Sequence, residues 1–323
     1  MLRAVEERQS PRNQNALMTI TQAQIAERMN YLGASDCAGA LGLSRWDSPL
    51  KVWARKTGSG APDEKNRIAA WLGNQLEEAV AKLFEMETGK KVHRVQEAYI
   101  HKTHKFLRCH IDRKVIGERA ILQCKTADVT KAYEWGGEEV PQEYILQELH
   151  ELACTSYDRA YVAVLIGNRE LRIKTIERDD KVIAEVVKRE IAFWKNCVVA
   201  RAMPTNIKKQ DSDTLFALFP HGDEGDPVAL GQTADAMMDT LEALQKDHYT
   251  LKGDIEKAKN EIKAMLGAAS WGKSSGWRVS WRNQDNRELD AKGLKRDHPE
   301  IYAQYLQNRP TRVLRYSRRG RQS

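Results

Sequence analysis

The chain has 323 residues, 30% of them charged and 7% aromatic, with a formal charge of +7. That profile excludes a disordered or fibrous protein, and the length suits one large domain or two ordinary ones. No apolar run is long enough to cross a bilayer and no signal-peptide pattern opens the chain, so no membrane association and a cytoplasmic location are expected.

Residues 1–18 are polar and aperiodic and read as a loose leader. A helix over 21–29 follows, then a turn at Gly33-Ala-Ser-Asp36 feeding a short helix over 37–41. Residues 44–57 read as a helix started by Pro49, and 58–63 as a loop. The strongest helix of the first half spans 66–88, with Ile68, Trp71, Leu72, Leu76, Val80 and Leu83 on one stripe and Gly89 as its stop. Strands are expected over 92–100, 106–112 and 120–126, then a helix over 143–155. Gly167-Asn168 between strands over 160–166 and 170–176 is a hairpin signal. A helix over 181–201 ends before Pro204. This order predicts an α/β fold with a mixed central sheet flanked by helices, occupying residues 19–207.

Composition shifts over 208–228, which reads as a linker, and residues 229–323 form a C-terminal extension. Met237, Leu241, Leu244, His248, Leu251, Ile255, Ala258, Ile262 and Met265 follow a heptad pattern in that extension. His248 and Ala258 weaken the seam, so packing of this helix on its own domain is expected over an oligomeric coiled coil. Residues 277–281 alternate as a strand, 289–306 are partly helical, and 311–316 alternate as a final strand. No acid follows Glu300, whereas Arg309, Arg312, Arg315, Arg318, Arg319 and Arg321 crowd the tail, which suits a phosphate-contacting arm. The five cysteines (Cys37, Cys109, Cys124, Cys154, Cys197) are odd in number and lack CxxC spacing, so buried free thiols are expected rather than disulfides or zinc.

The chemistry concentrates in Phe106-Leu-Arg-Cys-His-Ile-Asp112 and Ala120-Ile-Leu-Gln-Cys-Lys125. Strand side chains alternate faces, so Gln123 and Lys125 project together, beside Asp112 from the neighbouring strand. Carboxylate and amide oxygens suit hard Mg²⁺. Asp112 is the candidate central ligand, with Gln123, the backbone carbonyl of Cys124 and Glu77 as further ligands. Lys125 is placed to orient the attacking water and stabilise developing charge. Each residue also has an ordinary reading: a turn carboxylate, a surface lysine, a solvated Glu77 beside Glu78. This frame resembles that of the PD-(D/E)XK nuclease superfamily, with Gln123 where that family usually has a glutamate.

Between about residues 29 and 204 the chain also resembles the YqaJ-type viral recombinases, relatives of the phage lambda exonuclease. The resemblance rests on Tyr31-Leu-Gly-Ala-Ser-Asp36 with Leu41-Gly-Leu-Ser-Arg-Trp-Asp-Ser-Pro49, and on Gly73-Asn-Gln-Leu-Glu77 with Thr88-Gly89. It continues through Asp112 with Gln123-Cys-Lys125 and Pro141-Gln-Glu-Tyr144-Ile-Leu-Gln147, in that order. It implies a PD-(D/E)XK core plus a C-terminal helical and small β extension. The implied activity is a Mg²⁺-dependent exonuclease (Mn²⁺ as substitute ion) that digests the 5′-ended strand of linear duplex DNA to leave 3′ tails. It further implies a phage or prophage protein acting on double-stranded DNA ends in a bacterial host, a single-strand annealing protein as partner, and a homo-oligomeric ring trimer. Arg28 and Ser35 match positions that hold the terminal phosphate, and Tyr144 and Gln147 match residues facing the cleft; a helix N-cap is the ordinary alternative for Ser35. Two departures stand out. Gln123 removes a charge and weakens ion binding, leaving a catalytically weak DNA-end-binding homologue as the alternative. His110 replaces a small residue and is expected merely to fill space.

Overall fold

A computed structural model describes residues 27–59, 67–137, 139–307 and 311–317; the leader and most of the helix expected over 21–29 lie outside them. The chain divides into two compact units, one ending at Pro220 and the other beginning at His221. Among the described residues no helix is long and apolar enough to cross a membrane.

The first unit is built on a five-stranded mixed sheet of order β2-β5-β6-β7-β8: β2 Val92–Arg94, β5 Arg113–Val115, β6 Ala120–Ala127, β7 Arg159–Ile166 and β8 Glu170–Glu177. β6 and β7 pair in parallel over eight residues, Ala120↔Arg159 to Ala127↔Ile166, and the other pairings are antiparallel. The segment Ala160-Tyr-Val-Ala-Val164 is buried throughout, as a central strand covered on both faces should be. Gly167 and Asn168 both have positive φ, 54° and 57°, the requirement of a type I′ hairpin turn. A Cβ at Gly167 would also lie 3.0 Å from that of Val129.

Helix α1 (Ala34–Ala40) and helix α2 (Pro49–Thr57) precede the long helix α3 (Arg67–Thr88). Ser48 caps α2 by accepting from Lys51 N–H, and Gly58 ends it in the left-handed conformation. Val80, Ala81 and Phe84 of α3 cover one sheet face against Leu122, Tyr161 and Ala163; each large apolar side chain buried there stabilises by about 1.5–3 kcal/mol. The expected α3 stripe is only partly used: Ile68, Trp71 and Leu72 are exposed, because the first turns run beyond that core cluster. Helix α4 (Gln142–Thr155) covers the other face, with Ile121, Leu149 and Leu152 in one cluster with residues of α1. Helix α5 (Asp180–Phe193) packs on α4 and passes into a π turn at Trp194–Val199.

One expected strand is two elements and another is shorter than expected. Residues 92–100 split into β2 and β3 (Tyr99–Ile100), and residues 106–112 end early as β4 (Leu107–Cys109). β4 pairs with β3 and with β1 (Leu32–Gly33) in a separate three-stranded sheet. The chain then changes sheets, so Asp112 immediately precedes β5 rather than ending β4. The stretch 208–228 does not begin as a linker. It starts with a 3-10 turn at Lys209–Asp211 and helix α6 (Ser212–Leu218), and buried Asp211 accepts from the Ser48 hydroxyl.

In the second unit, helix α7 (Gly231–Leu266) carries the heptad, followed by the hairpin β9 (Trp271–Lys273) and β10 (Arg278–Ser280). Helices α8 (Ala291–Asp297) and α9 (Pro299–Tyr305) follow. The expectation that α7 packs on its own domain fails: no residue of it is buried, and Met237, Leu244, Leu251 and Met265 are all more than half exposed. Residues 311–316 form no strand; no partner strand is paired with them, and an isolated alternating segment has no ladder to join. All five cysteines are free, with Cys37, Cys109 and Cys154 buried and Cys124 and Cys197 half-buried.

Candidate active site

The alternation of β6 sets the site. Leu122 and Cys124 turn toward α3, whereas Ile121, Gln123 and Lys125 share the opposite face, under α4. The register Arg113↔Leu122 places Asp112 next to Gln123 across the ladder, and Asp112 Oδ2 accepts from the Cys124 N–H at 2.7 Å. Asp112, Gln123, Cys124 and Lys125 line a cleft of about 280 Å³ together with Asn74 and Glu77 from α3. Burial pushes the Asp112 carboxyl above the usual aspartate range, a shift opposed by Lys125 and the Cys124 N–H.

Glu77 enters this cleft already engaged. Arg113, almost fully buried, donates to Glu77 and, at 2.9 Å, to Glu78 Oε2. The solvated-face reading of Glu77 therefore does not apply.

Beside Lys125, helical spacing puts Tyr144, Gln147, Glu148 and Glu151 on one stripe of α4. Lys125 Nζ donates to Gln147 Oε1 at 3.1 Å, and Gln147 Nε2 donates onward to Glu151 Oε1 at 3.0 Å. The same ammonium lies 5.2 Å from the Tyr144 ring, which stacks on Trp135 at 5.2 Å and faces Trp46 at 6.3 Å. Arg45 covers Trp46 and is held by a bidentate pair with Glu134 and by Glu143. An aromatic and guanidinium wall thus borders the lysine, a surface suited to bases and phosphates.

Glu148 and Glu151 are not singled out in the sequence, where residues 143–155 read only as a helix. Both are fully buried. Their carboxyls are raised, that of Glu151 to about 8, first by burial and then by each other or by Asp112. Between the ordinary value near 4.5 and about 8, the folded chain keeps a Glu151 proton that the unfolded chain has lost. Stability should therefore fall as pH rises across that window. Thermal unfolding in chelator at a series of pH values should show this decline, and Glu151→Gln should flatten it. An equally steep decline in the variant would assign the effect elsewhere.

Gln123 Oε1, both Glu148 carboxylate oxygens and Glu151 Oε2 are buried without a hydrogen-bond partner. Orphaned oxygens facing one ammonium fit a hard divalent cation, whose preferred donors are carboxylate and amide oxygens.

The remaining expected residues stand apart. Arg28 and Ser35 are exposed, and the residues lining the cleft do not include them. Ser35 is not the cap of α1, because that place belongs to Gly33, whose N–H donates to Asp36 Oδ2 at 3.1 Å. Asp36 is in turn paired with Lys56 at 2.6 Å and Arg55 at 3.3 Å. His110 is exposed and fills no core space.

The family model of the YqaJ-like viral recombinase domain matches residues 25–158. The uncharacterized protein YqaJ of Bacillus subtilis (strain 168) is 32% identical over 281 residues, covering 86% of this chain and 88% of its own. Among solved structures, the fold is similar to the alkaline exonuclease LHK-Exo of Laribacter hongkongensis. That match has 22% identity and a TM-score of 0.46, over 56% of this chain and 94% of the other. A phage-related exonuclease of Haemophilus somnus 129PT is also similar, at 15% identity and a TM-score of 0.42, over 53% and 95%.

Proposed function

Because the chain belongs to the YqaJ-like viral recombinase family, we propose that it is a Mg²⁺-dependent exonuclease that digests the 5′-ended strand of linear duplex DNA. The observation that carries this reading is the meeting of Asp112, Gln123 and Lys125 in one cleft, with buried oxygens lacking partners beside the lysine. Asp112, Gln123 Oε1, the Cys124 carbonyl and Glu77 would hold the ion, with Mn²⁺ able to substitute. When bound, such an ion supplies electrostatic relief for the phosphate and a more acidic water.

The chain's own groups do the rest. Gln147 tethers the Lys125 ammonium, so its charge is oriented before substrate arrives. The Tyr144 ring beneath that ammonium limits its swing. Lys125 is thereby placed to orient the attacking water and to balance charge on the phosphorus oxygens. The 3′ tails produced would pass to a single-strand annealing protein, and a ring trimer around the duplex would keep the enzyme on one end. Arg28 and Ser35, exposed near the start of the fold, would receive the terminal phosphate.

The test is digestion of linear duplex DNA with Mg²⁺, with 5′-phosphate and 5′-hydroxyl ends compared and a closed circle as control. Loss of 5′ label first, no cutting of the circle, slower hydroxyl ends and full inhibition by EDTA are expected. Tight binding to DNA ends without product in Mg²⁺ or Mn²⁺ would replace this reading with that of an end-binding homologue disabled at Gln123.

A further inference from the structure

Buried carboxylates without partners are costly, and a cluster of them beside a single cation is unstable unless something neutralises it. Asp112, Glu148 and Glu151 interact electrostatically with one another and with Lys125. Yet the Lys125 hydrogen bond goes to neutral Gln147 rather than to any of these acids. Glu148 is the extreme case: it is fully buried, and neither of its oxygens has a partner. Its place on α4 is fixed on both sides, by Gln147 bonded to Lys125 and by Glu151 bonded to Gln147. Gln123 Oε1, likewise buried and unpartnered, lies on the β6 face that α4 covers. Loss of an acid from β6 and an unexplained acid on the helix above it are complementary anomalies.

We propose that Glu148 supplies from α4 the anionic ligand that β6 lacks at Gln123, so that a divalent cation is held by Asp112, the Gln123 amide oxygen and Glu148. Glu151 positions this set through Gln147 and takes no part in the first contacts. The charge of the site is conserved while its source moves from strand to helix. Gln123 is then an accommodation to Glu148, since an acid at both places would add one more carboxylate to those already around the ion. The inference rests on reading the cleft as the metal centre of a hydrolase.

Titration of the full chain with MnCl₂ by calorimetry tests it without reference to turnover. The native chain should bind, and Glu148→Gln should weaken binding at least tenfold. The double variant Gln123→Glu with Glu148→Gln should recover most of it. Because Glu148→Gln removes an acid that is buried without a partner, its thermal midpoint in EDTA should equal or exceed that of the native chain, while the rise caused by Mn²⁺ disappears. Unchanged Mn²⁺ affinity in Glu148→Gln, or no binding by the native chain, overturns the proposal. The two readings fail separately. Glu148-dependent Mn²⁺ binding without cleavage of DNA sinks the exonuclease alone, and cleavage that survives Glu148→Gln with unchanged binding sinks the relocated ligand alone.

Discussion

Replacing Asp112 by Asn should abolish Mg²⁺-dependent DNA digestion, and Lys125→Ala should lower it by about 10²–10⁴-fold, the span for removing a positioned acid–base group. The two losses should differ in kind. Asparagine retains an oxygen for the Cys124 N–H, the 2.7 Å contact that fixes the end of β5 against β6. Folding should survive while the charge facing the ion is lost, so affinity for Mn²⁺ should fall with activity. Burial already raises the Asp112 carboxyl, so the native chain gives up part of its stability to keep an acid there. Asp112→Asn should therefore unfold at an equal or higher temperature in EDTA. Lys125→Ala instead removes an ammonium beside Glu148 and Glu151 and frees Gln147. Ion binding should persist, and the deficit should appear in kcat rather than KM, since the lysine acts on charge that develops during reaction. Single-turnover digestion at saturating ion makes the comparison. Full activity in Asp112→Asn would remove the cleft from consideration as the catalytic centre.

The period-two alternation of β6 is visible in the sequence, and it alone puts Gln123 and Lys125 on one face. The position of Asp112 is less visible. Leu107, Cys109 and Ile111 continue one apolar pattern although the chain changes sheets between Cys109 and Arg113, because hydrophobicity records burial and not which sheet supplies it. The α4 acids are hidden for a related reason. Gln147, Glu148 and Glu151 form a polar stripe, which in one helix reads as the solvent side. Only the fold shows that this stripe lies over the polar face of β6, while the apolar positions serve the core beside it. A polar stripe on a helix that also has a full apolar face is thus compatible with burial on both sides. The heptad on α7 misleads in the opposite direction. Its pattern is correct for a packed seam, yet the side chains are exposed within this chain, because periodicity specifies a partner's geometry and not its identity.

Glu190→Ala should destabilise the first unit by about 3–5 kcal/mol, the usual cost of stripping one member from a buried ion pair. His150 Nδ1 lies 2.7 Å from Glu190 Oε1 and its Nε2 lies 3.0 Å from the Arg108 carbonyl oxygen, with both side chains fully buried. The Nε2 proton is needed for that carbonyl, so pairing with a carboxylate at Nδ1 calls for the imidazolium. Burial alone would lower the His150 pKa, but Glu190 and the neighbouring thiols of Cys154 and Cys37 carry it well above the ordinary range. One ring therefore joins α4, α5 and β4, the strand that leads into Asp112. The raised value means that the pair's stabilisation is complete below about pH 6.5 and is lost as pH rises through the folded-state value. Urea unfolding followed by circular dichroism should show the deficit of Glu190→Ala at pH 6 and a smaller one in strong alkali. Glu190→Leu combined with His150→Leu should regain most of the loss, because an apolar pair of similar volume carries no desolvation penalty. A deficit below about 1 kcal/mol in Glu190→Ala would mean that the histidine is neutral and the junction is held by packing alone.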